Sequence, residues 1–424
     1  MSATSRASAL APFEVRSFRF QWPADLATSW AFEMETLILG WYVLVETRSV
    51  LLLTLFASLQ YTGTLLGPIF GVMGDRIGQR NMLCLMRAAY ATLAAALMIL
   101  AFSGVLNPVH VFIIAGLTGL VRPSDIGMRA TVVSEIMPAT RLMAAMGIQR
   151  TTQDSARIAG ALTGAGLVAM LGMGPAYLVV ASLYTVSLML THYAGSPRAE
   201  PVSPAANAED NLVVAHTSPW RDLKAGLAYV WNTPFLFAIM CLAFLLNSTA
   251  FPLLNGLLPY VVKEVYHADQ TVLGYMSAGA ATGALLGSIM LSRFGGAIRP
   301  ARMSIAACML WYAMLLAFSR THDPSGGFLF FMLAGFAQSV SQVPMAAILL
   351  RNSDPRFRGR VMGIRMLAIY GNVPGLLIAG PLIARFGYAT AAMIYCATGI
   401  TLTLLIVMRW RTHLWRRDAP VNIR

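Results

Sequence analysis

The chain is 424 residues long, and 57% of its residues are hydrophobic while only 12% are charged. Soluble domains carry about 25% charged residues, so this balance excludes an ordinary soluble protein and indicates an integral membrane protein. The formal net charge of +13 would suit a nucleic-acid ligand, but no basic tract that alternates with aromatic residues accompanies it. We therefore expect no nucleic-acid partner.

The four cysteines, Cys84, Cys241, Cys308 and Cys396, each stand alone within an apolar run. Such spacing supports neither a disulfide framework nor a zinc site, so we expect packing roles, no metal and no cofactor. The residues before Trp22 do not have the charged, apolar and small-residue parts of a signal peptide. The sequence also has no phosphate-binding P-loop, HExxH motif or nucleophile elbow, so we expect neither ATP-driven transport nor an enzyme.

Windows of about 19 residues predict an all-α membrane protein with twelve transmembrane helices in two pseudo-symmetric six-helix bundles. The predicted spans are 24–46, 51–73, 82–103, 109–134, 146–171, 175–194, 235–260, 271–292, 303–319, 328–350, 361–384 and 388–409. The predicted domains are an N-terminal segment at 1–23, bundles at 24–194 and 234–410, a linker with an interfacial helix at 195–233, and a tail at 411–424.

The basic residues predict the orientation of these spans. With both termini on one side, most of the 31 lysines and arginines fall at that side, as they do in cytoplasmic loops. We therefore expect a multi-pass protein of the cytoplasmic (inner) membrane with cytoplasmic N- and C-termini. Between the bundles, Gly195 to Ser218 is rich in Pro, Ala and Ser, a composition that cannot build a core and predicts a flexible linker.

Two short similarities between the halves indicate an internal duplication. Met-Gly-Ile at 146–148 recurs at 362–364, an offset of 216, and the same offset places Gly164 on Gly380. In transporters built from such repeats, the substrate site lies near the membrane midplane between the halves.

The first predicted span contains two acids, Glu33 and Glu35. A charge within a span usually faces a cavity or a partner, because lipid does not solvate it. Two positions along a helix point in nearly opposite directions, so we expect Glu33 to face a hydrated cavity and Glu35 a neighbouring helix or a bundle end. Either carboxyl could carry protons or act as a structural hydrogen-bond partner.

The fourth and fifth spans add Arg122, Asp125, Arg129, Asp154 and Arg157. Counting about 1.5 Å per residue inward from the same face places Arg129 level with Asp154, and Asp125 level with Arg157. We therefore hypothesise two ion pairs between these spans. Because stranding one buried charge is costly, each pair is either a structural clasp, favoured for Arg129 and Asp154, or a proton-responsive switch, favoured for Asp125 and Arg157.

Amides and phenols within apolar spans are candidates for lining a substrate cavity. They are Gln60, Tyr61, Asn247, Asn255, Gln338, Gln342, Tyr370 and Asn372. Such a lining suits a bulky, partly apolar solute, although each side chain alone could equally join two helices. The second half has no acid within a span, so we expect any proton coupling in the first half.

The turn after the second span reads GVMGDRIGQR at 71–80. Its GxxxDRxGxR spacing resembles the signature loop of the major facilitator superfamily. In that family the loop is a conformational latch, which implies that Asp75 bonds to the start of the eleventh span on the cytoplasmic side. The resemblance also implies that Gly71 and Gly78 permit close helix approach and that Arg76 and Arg80 organise the turn.

Together with the runs at 154–160 and 358–363, this loop makes the chain similar to the bacterial drug and siderophore exporters of the superfamily, a branch that includes drug:proton antiporters. The resemblance implies a monomeric carrier that exports an amphipathic small molecule by proton-coupled alternating access. Ala161 departs from the Gly-Pro pair of the antiporters. Two alternatives stay open: an uptake symporter or facilitator for a metabolite or lipid-like solute, and a non-transporting sensor or assembly partner.

Overall fold

The computed structural model describes residues 11–194, 219–294, 299–354 and 357–416. Within these ranges the chain is helical and contains no strand, which confirms the all-α class. The helices are α1 (Arg16–Thr47), α2 (Val50–Leu59), α3 (Gly67–Ile77), α4 (Gln79–Phe102), α5 (Pro108–Ile136), α6 (Ala139–Leu171), α7 (Met173–Tyr193), α8 (Pro219–Trp231), α9 (Pro234–Phe251), α10 (Leu258–Tyr260), α11 (Gln270–Phe294), α12 (Pro300–Phe318), α13 (Pro324–Asn352), α14 (Arg358–Ala368), α15 (Asn372–Phe386), α16 (Tyr388–Arg409) and α17 (Arg411–Arg416). The predicted linker at 195–218 lies outside the described residues.

Nine spans in these ranges are long and apolar enough to cross a membrane. The twelve expected spans are completed by α1 and α6, which carry several charges, and by α2 with α3, which are interrupted. All three of these less apolar spans belong to the first half, whereas the six spans of the second half are all apolar enough.

Three spans are not regular α-helices. A 3-10 turn (Thr62–Leu66) separates α2 from α3, π-helical turns (Pro252–Gly256 and Val261–Val265) flank α10, and a 3-10 turn (Ile369–Gly371) separates α14 from α15. The first break lies against α5, where a Cβ added to Gly63 would overlap the carbonyl oxygen of Leu120. Such mid-helix breaks often mark hinges or functional positions.

Glycines in α6 bring it against α1 in the first half. A Cβ on Gly160 would lie 2.7 Å from Glu33 Cβ, and a Cβ on Gly164 would lie 3.1 Å from Met34 Cα. Small residues allow this close approach of two membrane helices. The contact fixes the position of Glu33 relative to the charged residues of α6.

The two halves touch where α2 meets α15 and where α6 meets α11. At these contacts a Cβ on Gly380 would lie 3.4 Å from Leu51 Cα, and a Cβ on Gly274 would lie 3.0 Å from the Ala161 carbonyl oxygen. We call the side of the bundle on which α1 begins and α16 ends the terminal face, and the opposite side the far face. Both contacts involve the helix portions nearest the far face.

Nearer the terminal face, each half packs within itself. The α3 helix contacts α4 and α5, and α14 contacts α8, α9 and α13. An added Cβ would meet open space at Gly71 in α3 and at Gly363 in α14. Among the described residues, the extensive contacts between the halves therefore lie toward the far face, and nearer the terminal face α14 meets the first half at the 3-10 turn Thr62–Leu66.

The amphipathic stretch after the linker forms α8, which packs on α14. Tyr229 stacks on Phe357 with ring centroids 4.4 Å apart, and its hydroxyl accepts a hydrogen bond of 3.0 Å from the Asp354 backbone nitrogen. Val230 is buried while Leu227 is exposed. One side of α8 thus docks on the second half and the other remains apolar and outward-facing, an arrangement that suits the membrane interface.

Candidate functional site

An ion pair of the first half lies at the boundary between the two halves, near the middle of the spans. Arg157 Nε of α6 lies 3.8 Å from Glu33 Oε1 of α1, and both side chains remain about one-third exposed. Arg157 Nη2 also donates a hydrogen bond of 3.5 Å to Asn255 Oδ1 in the second half. The π-helical turn around Asn255 turns this side chain outward. Glu33 is thus linked through one arginine to the opposite half.

The hypothesised ion pairs between the fourth and fifth spans are wrong. Arg129 pairs with Asp125 of its own helix at 2.5 Å, and Asp154 pairs with Arg150 of its own helix at 3.3 Å. Residues four apart on a helix are neighbours on one face, so they meet without any constraint between helices. Equal depth does not bring two side chains together when they point in different directions around their helices.

Glu35 and Arg122 occupy a second polar site inside the first half. Tyr184 donates a hydrogen bond of 2.8 Å to Glu35 Oε2. Arg122 Nη1 donates to Thr36 Oγ1 at 2.8 Å and to Gln60 Oε1 at 2.5 Å. The guanidinium also stacks over the Phe32 ring, 4.6 Å from its centroid. The hydrogen-bond partners of the Arg122 side chain are thus neutral groups.

A small, partly open pocket lies between Glu35 and Arg122. Its other lining residues are Thr36, Leu39, Phe56, Gln60, Ala115, Thr118 and Gly119. Its free space holds about one water molecule, far below the roughly 300–1,000 Å³ of ligand pockets. It suits water or a proton path better than a bulky solute.

A buried charged cluster lies nearer the terminal face, and sequence reasoning missed half of it. Asp25 of α1 pairs with Arg87 of α4, and Arg87 also donates to Thr191 of α7. Arg129 donates to Ser29 at 2.7 Å and to the Asp25 carbonyl oxygen at 3.4 Å. Arg87 was not among the predicted site residues, yet it is fully buried. With Asp125, the cluster contains two acids and two bases.

Two of the predicted cavity amides instead join helices within the second half. Asn372 Nδ2 donates a hydrogen bond of 3.0 Å to Asn247 Oδ1, and both side chains are buried. Gln338 is likewise buried, whereas Tyr61 and Tyr370 are half-buried at the 3-10 breaks. These positions favour helix packing for Asn247, Asn372 and Gln338.

Arg365 of α14 is a further charged residue near this boundary, and it was not among the predicted site residues. Arg365 Nη2 donates to the Gln342 carbonyl oxygen at 3.4 Å. Its charge interacts across the boundary between the halves with Arg150 of α6. Two cations therefore lie within electrostatic range of each other on the terminal side of Arg157.

The signature loop has its expected turn, but neither predicted glycine provides a close helix approach. A Cβ would meet open space at Gly71 and, at Gly78, only Asn81 Nδ2 at 3.8 Å. Gly78 adopts a φ of +90°, which favours glycine. Close packing falls on Gly74 instead of Gly71, since a Cβ on Gly74 would lie 3.0 Å from Met128 Cε. Arg76 is exposed, and the Asp75 side chain lies outside the described residues, so the latch remains a prediction.

Arg80 connects the loop to α7. Its Nε donates a hydrogen bond of 3.1 Å to the Thr191 carbonyl oxygen, and its Nη2 donates to the His192 carbonyl oxygen. The last carbonyls of a helix are a favourable place for a cation. This arginine therefore fixes the start of α4 against the end of α7.

Comparisons with known proteins agree with this architecture. The family model described as Major Facilitator Superfamily matches residues 26–373. A relative named "Multidrug resistance protein MdtG", from Salmonella arizonae, is 23% identical over 356 residues, which cover 83% of this chain and 82% of the relative.

Solved structures of low identity share the fold. A POT family transporter in complex with 5-aminolevulinic acid has a TM-score of 0.71 at 14% identity, covering 94% of this chain and 96% of that chain. A bacterial homologue of the human lysosomal transporter Spinster, in an inward-facing and unoccupied conformation, has a TM-score of 0.67 at 12% identity, covering 95% and 97%. The chain therefore belongs to the major facilitator superfamily, as its signature loop implied, and is a multi-pass membrane transporter of small molecules, not an enzyme.

Proposed function

We propose that this chain is a proton-coupled exporter of an amphipathic small molecule in the cytoplasmic membrane, with its terminal face in the cytoplasm. The proposal rests chiefly on Glu33, a carboxyl at the boundary between the halves. Its only described ion-pair partner, Arg157, also contacts the second half through Asn255. A proton on Glu33 would therefore change a contact on which the relative position of the halves depends.

Glu33 suits a group that exchanges protons better than Glu35 does. The Glu33 side chain is 32% exposed and its ion pair is long, at 3.8 Å. Glu35 is buried and hydrogen-bonded to Tyr184, so it has less access to solvent in this conformation. We assign the proton that couples transport to Glu33, and we assign Glu35 with Arg122 to the adjoining polar path.

Opening at the terminal face sets the order of events in the proposed cycle. With that face cytoplasmic, the ionised Glu33 carboxylate is available to hydrogen-bond donors of a substrate from the cytoplasm. After the bundle reopens at the far face, a proton from outside replaces the substrate on Glu33. Return to the inward-open state then releases the proton. For this coupling, the proton and the substrate must each bind the two conformations with different affinity.

The relative named for multidrug resistance supports export of amphipathic molecules. The far-face contacts between α2 and α15 and between α6 and α11 support alternating access, since these must separate for release outside. A monomer is sufficient for this cycle because both halves belong to one chain.

The test is transport by the purified chain in proteoliposomes with an imposed pH gradient, using a panel of fluorescent amphiphiles of both charges. We expect gradient-driven movement of at least one amphiphile against its concentration gradient. Glu33→Gln should reduce this movement at least about tenfold, since loss of one proton-transfer group costs about 10²–10⁴ in rate in enzymes.

Glu46→Gln is the matched control, because Glu46 lies in the same helix but is exposed near its far end. Equal losses in both variants would argue against a special role for Glu33. Equilibration of the amphiphiles without any dependence on the pH gradient would favour a facilitator, and movement together with protons would favour an uptake symporter.

A further inference from the structure

We infer that the space between the halves on the terminal side of Arg157, which we call the cleft, contains an anion-binding subsite. This subsite is built around Arg365 and Arg150 and would take an acidic group of the transported molecule. This inference rests on the proposed function and narrows its substrate class to amphiphiles with a carboxylate, sulfonate or phosphate group. Three observations carry it: an arginine that no described acid contacts, a second cation whose charge interacts with it, and a buried amide donor beside it.

The first observation is the setting of Arg365. Among the described residues its hydrogen-bond acceptor is a single backbone carbonyl, Gln342 O, at 3.4 Å, and no described carboxylate lies within ion-pair distance. The second half cannot supply one within its spans, because its acids lie at helix ends or in loops. They are Glu264, Asp269, Asp323 and Asp354, while Asp418 lies outside the described residues. A half-buried guanidinium in this position carries a charge that a bound anion would stabilise.

The second observation is the cation across the cleft. Arg150 lies on α6 of the first half, and the charges of Arg150 and Arg365 interact across the boundary. Asp154 balances Arg150 at 3.3 Å, just as Glu33 balances Arg157 at 3.8 Å, so Arg365 remains the excess positive charge of this group. Like charges within electrostatic range repel, and an anion bound near both would offset that repulsion.

The third observation is the Gln342 side chain. Its amide Nε2 is buried and has no hydrogen-bond partner among the described residues, although a buried donor normally has one. The same residue accepts the Arg365 hydrogen bond through its carbonyl. A modest rotation of the side chain would direct this free donor toward the oxygen atoms of an anion held by Arg365.

The subsite is distinct from the proposed proton site. Arg150 precedes Arg157 by seven residues on α6, which is about 10 Å along the helix. An acidic group at Arg365 would thus leave the Glu33–Arg157 pair intact while the apolar body of the same molecule extends toward the centre of the cleft. A ligand with an acidic end and an apolar body fits this separation.

The experiment compares two probes of opposite charge that share one fluorophore, dansylglycine and dansylcadaverine, on the full chain in nanodiscs of neutral lipid. Binding is read as energy transfer from tryptophan to dansyl. We expect tighter binding of the anionic probe, weakened by salt, which screens charge interactions. Arg365→Gln should weaken dansylglycine binding about tenfold, the loss expected for a charge-assisted hydrogen bond, and should leave dansylcadaverine binding unchanged.

Two further variants complete the test. Arg365→Lys, which keeps the charge, should retain most of the anion affinity, and Arg385→Gln, at the far end of α15, should bind both probes as the unaltered chain does. The inference is overturned if the unaltered chain prefers the cation, binds no dansylglycine up to millimolar concentration, or loses nothing in Arg365→Gln. Because binding is measured without a gradient, the anion preference can stand even where proton coupling fails, and the reverse also holds.

Discussion

The two halves share one fold but build their interiors from different chemistry. The first half buries a cluster of four charges, Asp25, Arg87, Asp125 and Arg129. The second half instead joins its helices with neutral groups, such as the Asn247–Asn372 pair. Two halves with the same fold can therefore have interiors of different polarity.

This difference assigns different tasks to the halves. Carboxyl groups can change protonation state, and in the first half they extend from Asp25 near the terminal face to Glu33 and Glu35. The second half contributes Asn255 and Arg365 at the boundary and otherwise a neutral, apolar body. We interpret the first half as the part that responds to protons and the second as the surface against which it moves.

The largest expected effect is at the buried charges of the first half. Asp25→Asn leaves Arg87 fully buried without its carboxylate, and removal of one partner of a buried pair costs about 3–5 kcal/mol. We expect a large fall in the thermal midpoint of the detergent-solubilised protein, measured by size-exclusion chromatography after heating. The double variant Asp25→Asn with Arg87→Gln should recover part of the loss, because it strands no charge from that pair. An unaltered midpoint in Asp25→Asn would contradict the contrast between the halves.

A smaller effect is expected at the neutral pair of the second half. Asn372→Leu leaves the Asn247 side chain without its partner at 3.0 Å, and an unsatisfied buried polar group costs about 1–3 kcal/mol. The double variant Asn372→Leu with Asn247→Leu should lose less than the sum of the single variants, since it leaves no orphaned amide. The same heating assay measures all three. If Asn372→Leu destabilised as much as Asp25→Asn, neutral and charged interiors would not differ as proposed.

Hydropathy predicted the fold because each span must be largely apolar to lie in lipid. The twelve spans and the all-α class could thus be inferred without structure. The interruption of the second span could not, because it depends on the close approach of Gly63 to the α5 backbone. Such an approach involves residues far apart in the chain and leaves no local hydropathy signal.

The sequence predicted which residues belong to the candidate site but not which of them contact each other. Glu33 and Arg157 were recognised as charges within spans, yet their mutual contact depends on how α1 and α6 are rotated. Whether two side chains meet depends on their direction around each helix as well as on their depth along it. The pairing of Asp125 with Arg129 could have been inferred from their spacing of four. Arg365 was missed because its closeness to basic residues at the end of the span resembled an ordinary loop.

The smallest expected effect concerns two equivalent helix starts, which are related by the offset of 216. Asn107 caps α5 by accepting a hydrogen bond of 3.2 Å from the His110 backbone, and Asp323 caps α13 by accepting one of 2.7 Å from the Gly326 backbone. The Gly326 backbone N–H, and then the Ser325 hydroxyl, hold the pKa of Asp323 below its usual value. Only the cap in the second half therefore carries a titrating carboxylate.

A carboxyl whose pKa is lower in the folded chain stabilises that chain above its unfolded pKa of about 3.9, and this contribution is lost as the pH falls through the folded value. Asp323→Asn should thus lower the thermal midpoint slightly at neutral pH and not at all in strong acid, because asparagine keeps the cap but not the charge. Asn107→Asp should do the opposite, adding stability at neutral pH that disappears in acid. The test is the thermal midpoint of the unaltered chain and both variants, measured across this pH range. If the three midpoints changed in parallel with pH, the charge at these helix starts would contribute nothing measurable to stability.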